Sequence, residues 1–370
     1  MRKTLNQYEP DITEADIKAV SEYLRSGGYV TEFRKTRELE KSISDYCQIK
    51  DTVIFPNGTL SLFAILKSLN IGQGDSVIVP NYTMAATAFA VVETGAEVIF
   101  CDIEIPSCCI CFDSFVEAVN KQRKKPKAVM LMNANGRYPS YDMNNFLSFC
   151  KKEEIKVIED SAQSLGSYYQ DGKHMGTYGI AGSFSFSMPK IITAGQGGAV
   201  ISNDEELITR LRSYRDFGRL SGGNDIHKEI GLNLKYTDLQ STLALSQLSR
   251  INKLAETKKR NFKYLFNSVE SEHLYINKND LEHTTPWFYE LITPHRESLI
   301  NWLSKDNIFT RNMYPELNRQ SAFSNHPQHL ENFKNSNFIS HNGLWLPSHP
   351  KLKKNDIERI VEALNAFRPI

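Results

Sequence analysis

Segments with helical periodicity alternate with short apolar strands up to about residue 205. We predict helices over residues 14–24, 59–69, 84–93, 115–119 and 143–152, and strands over residues 76–80, 97–103, 128–132 and 156–160. Strands separated by helices pair readily in parallel, because each helix can carry the chain back to the same end of the sheet. The alternation therefore predicts an α/β domain with a mostly parallel sheet that is covered by helices on both faces.

The pattern becomes less regular after residue 198. We predict a strand, a helix, a loop and a long helix, in that order, at 199–202, 204–214, 217–233 and 239–266. The loop contains Gly218, Gly222, Gly223 and Gly231, and such polar glycine-containing loops often carry binding residues. One strand and two helices follow, at 287–293, 297–304 and 356–367. Because 370 residues exceed one ordinary core, we predict a large domain over 1–250 and a smaller α+β domain over 251–370.

The charges nearly cancel, with 44 lysines and arginines against 43 aspartates and glutamates. Neither sign forms a long block, so we expect a small-molecule partner rather than a nucleic acid or a membrane surface. The longest apolar stretch, residues 85–92, is too short to cross a bilayer, and we expect no targeting segment. Six cysteines, three of them within residues 108–111, match neither zinc nor redox spacings, so we expect reduced thiols in a cytoplasmic protein and no metal site.

Ligands of such a sheet bind beyond the carboxyl ends of its strands, and the first position of interest there is the sequence Pro-Asn-Gly-Thr at residues 56–59. Gly58 allows the backbone to approach a ligand closely. The helix that follows directs its first amides outward, as a phosphate group requires. The alternative interpretation is an ordinary capped helix start.

A second strand end carries carboxylates. The apolar strand that ends at Glu159 and Asp160 is followed by Ser161, Ala162 and Gln163. A carboxylate in this position can keep a pyridine nitrogen protonated, which makes the ring an electron sink. The alternative is an aspartate that only caps the next turn.

The third position contains a lysine. Lys190 comes just after the alternating residues 182–188, and glycines at 195, 197 and 198 permit close packing around it. A lysine buried there has a lowered pKa and acts as a nucleophilic amine, the property that Schiff-base chemistry needs. The alternative is a solvated surface lysine.

Together these motifs resemble the DegT/StrS family of sugar aminotransferases, particularly its perosamine-synthase-like members. The likeness begins at residues 6–10, includes residues 28–30 and ends at residues 346–348, and it is most specific at residues 159–160 and 185–198. It implies the type I fold of pyridoxal-5′-phosphate (PLP) transferases, which is the aspartate-aminotransferase fold class. It also implies PLP as the cofactor.

The resemblance implies roles for individual residues. Lys190 would form the Schiff base with PLP and would move the proton between the cofactor and the sugar. Asp160 would pair with the pyridine nitrogen, and Gln163 would lie against the ring or its 3′-oxygen. Lys190 and Asp160 are thus the catalytic candidates.

The resemblance also implies a phosphate site. Gly58 and Thr59 would bind the phosphate together with the Ser185 hydroxyl, in agreement with the anion-binding geometry of a helix start. Asn233 would reach the same phosphate from a second subunit. The active sites would then be shared within a homodimer.

The reaction that this resemblance implies is transamination. Related sugar dehydratases carry histidine where Lys190 stands, so the lysine favours amino transfer. L-Glutamate would convert PLP to its pyridoxamine form, which would then aminate a GDP- or dTDP-linked 4-keto-6-deoxyhexose used for surface polysaccharide. Two alternatives stay open: amination at C3 of the sugar, and a PLP-binding regulatory protein without turnover.

Two positions depart from the family pattern and affect the substrate site. Met84 stands where relatives often carry an aromatic ring, and Leu317 stands where several C4-amino-sugar enzymes carry histidine. Arg219 and Arg311 each suit a diphosphate, because guanidinium groups match phosphate geometry. The alternative for each is an ion pair at the surface. The substrate candidates are Tyr82, Arg219, His227, Arg311 and Tyr314.

Overall fold

The computed structural model describes residues 3–219 and 225–369. The helices are α1 (Glu14–Arg25), α2 (Arg34–Cys47), α3 (Gly58–Ser68), α4 (Ala85–Val92), α5 (Phe112–Asn120), α6 (Met143–Lys152), α7 (Glu205–Arg215), α8 (Asp238–Leu248), α9 (Ile251–Ser268), α10 (Arg296–Lys305), α11 (Lys334–Asn342) and α12 (Lys354–Ala366). The strands are β1 (Asp51–Phe55), β2 (Ser76–Pro80), β3 (Glu97–Cys101), β4 (Ala128–Met132), β5 (Lys156–Asp160), β6 (Ala181–Ser185), β7 (Gly198–Ser202), β8 (Tyr275–Ile276), β9 (Tyr289–Ile292), β10 (Arg311–Asn312) and β11 (Gly343–Leu346). None of the helices in these ranges has both the length and the hydropathy that a membrane span requires.

Seven strands form the large sheet, in the order β1-β7-β6-β5-β4-β2-β3. The pairs from β6 to β3 are parallel, and β7 runs antiparallel to both of its neighbours. The predicted α/β fold with a mostly parallel sheet is therefore confirmed. As a consequence of this topology, β1, β4, β5 and β6 all end at the same edge of the sheet.

Both faces of the large sheet are buried, which explains the continuous apolar strands. Val77 and Val79 pack with α3, α4 and α7 on one face, whereas Ile78, between them, packs with α5 and α6 on the other. In β1 the same alternation places Ile54 against α2 and α8. Successive strand residues point to opposite faces, so each strand needs apolar residues throughout.

The C-terminal residues form a smaller antiparallel sheet in the order β10-β11-β9-β8. Its core contains side chains from α9, α10 and α12, and Leu5 from the N-terminal segment also packs there and pairs with Ile308. This arrangement agrees with the predicted α+β character of the C-terminal part. We propose residue 250 as the division between the two domains, as the sequence predicts.

The single long helix predicted over 239–266 is wrong, because α8 ends at Leu248 and α9 begins at Ile251. Arg250 leaves the helical conformation, with φ −118° and ψ 13°. Its guanidinium binds Asp16 at 2.8 Å and also binds Asp11, both in the N-terminal segment. These distant partners stabilise a break that helical periodicity does not reveal.

Candidate active site

Lys190 lies in the loop after β6, at the edge of the sheet where the parallel strands end. Two hydrogen bonds hold the backbone of this loop: the Tyr8 hydroxyl donates to the Lys190 carbonyl at 2.8 Å, and Trp287 Nε1 donates to the Pro189 carbonyl at 2.7 Å. The Lys190 Nζ atom lies 4.2 Å from the centre of the Trp287 ring, within cation–π range. The amine is thus positioned by segments outside the large sheet.

Asp160 is the last residue of β5, which lies between β4 and β6, and it is 5 % exposed. Its Oδ2 accepts a hydrogen bond from the Thr87 hydroxyl at 2.6 Å, and its Oδ1 accepts one from the Ala162 amide at 3.2 Å. Burial raises the pKa of Asp160 above its usual value, while these two bonds and the charge of Lys190 oppose that shift. The carboxylate therefore depends on nearby donors to stay ionised.

The amine of Lys190 has the opposite shift. Burial lowers the pKa of Lys190 from 10.5 to about 8, because an ammonium loses favourable hydration there, and the charge of Asp160 opposes the change. A substantial fraction of the amine is then neutral at slightly alkaline pH. Only the neutral amine is a nucleophile, so this site meets the chemical requirement for Schiff-base formation.

We expect the cofactor-free protein to react with PLP faster as pH rises and to reach a plateau above about pH 8. Asp160→Asn removes the negative charge that raises the Lys190 pKa, so the midpoint should move to lower pH in this variant. Stopped-flow absorbance after mixing with PLP gives the midpoint for both proteins. A wild-type midpoint near the usual lysine pKa, or an upward shift in the variant, would contradict this expectation.

Glu159 lies on the opposite face of the sheet from Asp160, because adjacent strand residues point in opposite directions. It accepts hydrogen bonds from the Tyr169 hydroxyl at 2.5 Å and from the amides of Gly176, Tyr178 and Gly179 at 2.8, 2.6 and 2.7 Å. Burial raises the pKa of Glu159, and these donors lower it. Its role is to anchor the chain segment that precedes β6.

Three of the four predicted phosphate residues, Gly58, Thr59 and Ser185, lie at or beside the start of α3. The Asn57 side chain caps the helix by accepting from the Leu60 amide at 2.9 Å, and the first amides of α3 have no acceptor within the helix. A Cβ atom on Gly58 would lie only 3.1 Å from the Ser185 Cβ atom, so glycine permits this close approach. Gly58, Thr59 and Ser185 thus form one group of donors that suits an anion.

Gln163 joins the same region. Its Oε1 accepts from the Asn135 amide at 2.6 Å, which fixes the side chain. Gln163, Ser185 and Lys190 line one cavity of about 10 Å³, roughly the space of a single water molecule. Three of the predicted cofactor residues therefore border a common space.

Three of the five predicted substrate residues also lie together. The Tyr82 and Tyr314 rings are 5.8 Å apart, and Tyr314 meets Trp345 edge-on at 4.8 Å. The Arg311 guanidinium lies 5.6 Å from the centre of the Trp345 ring. We call Tyr82, Tyr314 and Trp345 the aromatic wall, and Arg311 lies beside it. Arg311 is exposed, so its guanidinium is accessible to a ligand.

The remaining predicted residues lie on the loop between α7 and α8, of which residues 220–224, including Gly222 and Gly223, are outside the described residues. Arg219 pairs with Asp216 at 2.6 Å and with Asp225 at 2.9 Å. His227 Nδ1 lies 2.8 Å from the Phe217 carbonyl, and Asn233 is exposed. In the described part of the chain, the contacts of Arg219, His227 and Asn233 stay within this loop and the end of α7 and do not reach Lys190.

Sequence reasoning missed Tyr8, Trp287 and Thr87 as residues that position the site. Tyr8 and Trp287 are distant from Lys190 in sequence, and only the folded chain brings their donors to the loop. Thr87 is the one polar residue of the apolar helix α4 and lies on its buried face. Such a residue needs a hydrogen-bond partner, and this was the feature of the sequence that could have indicated its role.

Comparisons with known proteins agree with this geometry. The model of the DegT/DnrJ/EryC1/StrS aminotransferase family matches residues 10–365. GDP-perosamine synthase of Vibrio cholerae is 27 % identical, over 97 % of this chain and 98 % of that protein. The dTDP-3-amino-3,6-dideoxy-alpha-D-galactopyranose transaminase of Aneurinibacillus thermoaerophilus is 30 % identical, over 99 % and 98 %. The PLP-form structure of Spr1654 from Streptococcus pneumoniae is 25 % identical, covers 98 % of both chains and superposes with a TM-score of 0.91.

Proposed function

Because the chain belongs to the DegT/DnrJ/EryC1/StrS aminotransferase family, we propose that it moves an amino group from L-glutamate to a nucleotide-linked 4-keto-6-deoxyhexose. The protein is a PLP-dependent sugar aminotransferase of the perosamine-synthase type. We propose L-glutamate as the donor, GDP or dTDP as the nucleotide and C4 as the acceptor carbon. The observation that carries it is the position of the half-buried Lys190 amine within electrostatic range of the buried Asp160 carboxylate, at one edge of the sheet.

The residues present fit PLP at both ends of the molecule. The close approach of Gly58 to Ser185, together with the first amides of α3, suits the phosphate, and the buried Asp160 suits a protonated ring nitrogen. We propose that Thr59 and Gln163 complete the set. Bound PLP supplies an electron-withdrawing ring that stabilises negative charge on a neighbouring carbon.

We propose that Lys190 moves the proton during amino transfer. Its Nζ atom has a pKa lowered to about 8, so it can accept a proton from one carbon and return it to another near neutral pH. The hydrogen bonds from Tyr8 and Trp287 fix the backbone on which this amine is carried. A base needs such fixed geometry more than a particular pKa.

We propose that the nucleotide sugar lies along the aromatic wall. Arg311 is the better candidate for the diphosphate, because its guanidinium is exposed, whereas Arg219 already pairs with two carboxylates. Tyr314 would border the sugar ring, with the buried Tyr82 ring packed behind it. His227 would need the loop to rearrange before it could contact the substrate.

We also propose a homodimer with shared active sites. The loop that carries Asn233 exposes Ile226, Ile230 and Leu232 by 69 %, 91 % and 41 %, and such a patch is typical of a surface that is covered in an assembly. Asn233 of a second copy would then reach the phosphate site. We place the enzyme in the cytoplasm, in the synthesis of surface polysaccharide, in line with a relative named lipopolysaccharide biosynthesis protein RfbH.

Product analysis tests the proposal. The PLP-loaded protein would be incubated with L-glutamate and, separately, with GDP- and dTDP-linked 4-keto and 3-keto 6-deoxyhexoses. We expect glutamate-dependent formation of a 4-amino sugar, which NMR identifies by the carbon that carries nitrogen. A 3-amino product would instead favour the C3 alternative, which the name of the relative from A. thermoaerophilus supports. Amination that proceeds with other amino acids but not with glutamate would overturn the donor assignment.

A further inference from the structure

A chain of three polar contacts runs from Asp160 into the core behind it. The Thr87 Oγ1 atom lies 2.6 Å from Asp160 Oδ2 and 2.7 Å from Thr83 Oγ1. Thr83 Oγ1 lies 2.7 Å from the sulfur of Met132. Thr83 is 1 % exposed and Thr87 is 0 % exposed, so the three contacts are shielded from water.

Counting protons gives the direction of these bonds. Each threonine hydroxyl has one proton to donate and lone pairs to accept with. When Asp160 is ionised it can only accept, so Thr87 must donate to it. The Thr87 proton is then used, so the short contact between the two threonines requires the Thr83 proton, which Thr83 shares between Thr87 Oγ1 and the Met132 sulfur.

The reverse direction exists only for the neutral carboxyl group. If Asp160 carried a proton at Oδ2, it would donate to Thr87, Thr87 would donate to Thr83, and Thr83 would donate to the Met132 sulfur. A thioether is a weak acceptor, whereas a carboxylate is a strong one. Consecutive hydrogen bonds also polarise one another, so the direction that ends on the charged group is strengthened. The chain thus favours ionised Asp160.

We propose that Thr87, oriented by Thr83, is a positioning residue that keeps Asp160 ionised and fixes the orientation of its carboxylate toward the cofactor. This inference rests on the proposed role of Asp160 as the partner of the PLP nitrogen. Neither threonine belongs to the cofactor or substrate residues described above. Thr87 acts on Asp160 directly, and Thr83 acts through Thr87.

The other groups that face Asp160 are few among the described residues. Lys190 favours the ionised carboxylate by its positive charge, and the Tyr314 hydroxyl also lies within electrostatic range. Burial raises the pKa of Asp160, and Thr87 is the largest contribution that lowers it. Removing the Thr87 hydroxyl therefore leaves burial opposed only by Lys190 and the Ala162 amide.

The test measures PLP binding by titrating the cofactor-free protein at several pH values. We expect Thr87→Val to raise the PLP dissociation constant by roughly tenfold to hundredfold, because a bond to a charged group is lost. Thr87→Ser keeps the hydroxyl and should restore the constant to about threefold of wild type or better. In Thr87→Val, Asp160 takes up a proton at a higher pH than in wild type. As the pH is lowered, the affinity for PLP should therefore begin to fall at a higher pH in this variant.

Two further variants test the direction of the chain without touching Asp160. Thr83→Val should weaken PLP binding by about twofold to tenfold, whereas Met132→Leu should change it by less than about twofold, since the thioether is only a weak acceptor of the Thr83 proton. An effect of Met132→Leu as large as that of Thr83→Val would overturn the inference. These two variants decide the matter even if Thr87→Val fails to fold.

Asp160→Asn separates this inference from the proposed function. If Asp160→Asn weakens PLP binding but Thr87→Val does not, Asp160 keeps its proposed role and the positioning role of Thr87 is wrong. If Asp160→Asn leaves both the affinity and its pH dependence unchanged, the assignment of Asp160 itself fails.

Discussion

Replacing Lys190 with alanine is expected to lower the rate of amino transfer by roughly 10²-fold to 10⁴-fold. The change removes the amine whose pKa burial lowers to about 8, and with it the group that we propose moves the proton. Single-turnover rates with PLP, L-glutamate and the accepted keto sugar measure this loss. The same samples report whether a visible absorption band of protein-bound PLP depends on Lys190.

Two control variants show whether the loss of activity comes from the missing amine at residue 190, rather than from a missing positive charge or from the loss of any lysine with a lowered pKa. Lys190→Arg keeps a positive charge, but a guanidinium stays protonated and is no base, so it should be about as inactive as the alanine variant. Lys258 is a second lysine whose pKa burial lowers, to about 7, and its Nζ donates to the Ser348 carbonyl. Lys258→Met should keep the absorption band. A band that survives in Lys190→Ala and disappears in Lys258→Met would show that the wrong lysine has been assigned.

The elements that could be predicted from the sequence are those whose signal is local. The strands of the parallel sheet have apolar residues on both faces, so β2, β4 and β5 appear as short continuous runs with the predicted bounds. Because parallel strands end at one edge, residues as distant in sequence as Gly58, Asp160 and Ser185 could be expected to meet there. The contact between Gly58 and Ser185 agrees with that expectation.

The features that could not be predicted depend on partners distant in sequence. The break at Arg250 requires Asp11 and Asp16, and periodicity alone favours one continuous helix there. The bond from Thr87 to Asp160 depends on how α4 is rotated against the sheet, which the composition of α4 does not specify. Arg219 has the side chain that a diphosphate needs, but its nearest acids already bind it in the folded chain.

Glu290→Ala is expected to lower the free energy of unfolding by about 3–5 kcal/mol, the largest stability effect that we predict. Glu290 in β9 binds Arg137, which follows β4, at 2.6 Å, and the two side chains are only 2 % and 5 % exposed. Removing the carboxylate leaves the Arg137 charge buried without its partner. The Asn277 side-chain amide and Trp345 Nε1, which donate to this carboxylate at 2.9 and 3.3 Å, also lose their acceptor. Urea unfolding of the cofactor-free protein gives the change.

An exposed ion pair provides the matched control for this prediction. Glu117 and Lys121 lie 2.8 Å apart with side chains 65 % and 64 % exposed, so Glu117→Ala should change the free energy of unfolding by less than about 1 kcal/mol. The double variant Arg137→Met, Glu290→Leu removes both buried charges and should recover much of the loss, because apolar side chains of similar size avoid the cost of an unpaired ion. Equal effects of Glu290→Ala and Glu117→Ala would mean that the Arg137–Glu290 pair does not stabilise the contact between the two sheets.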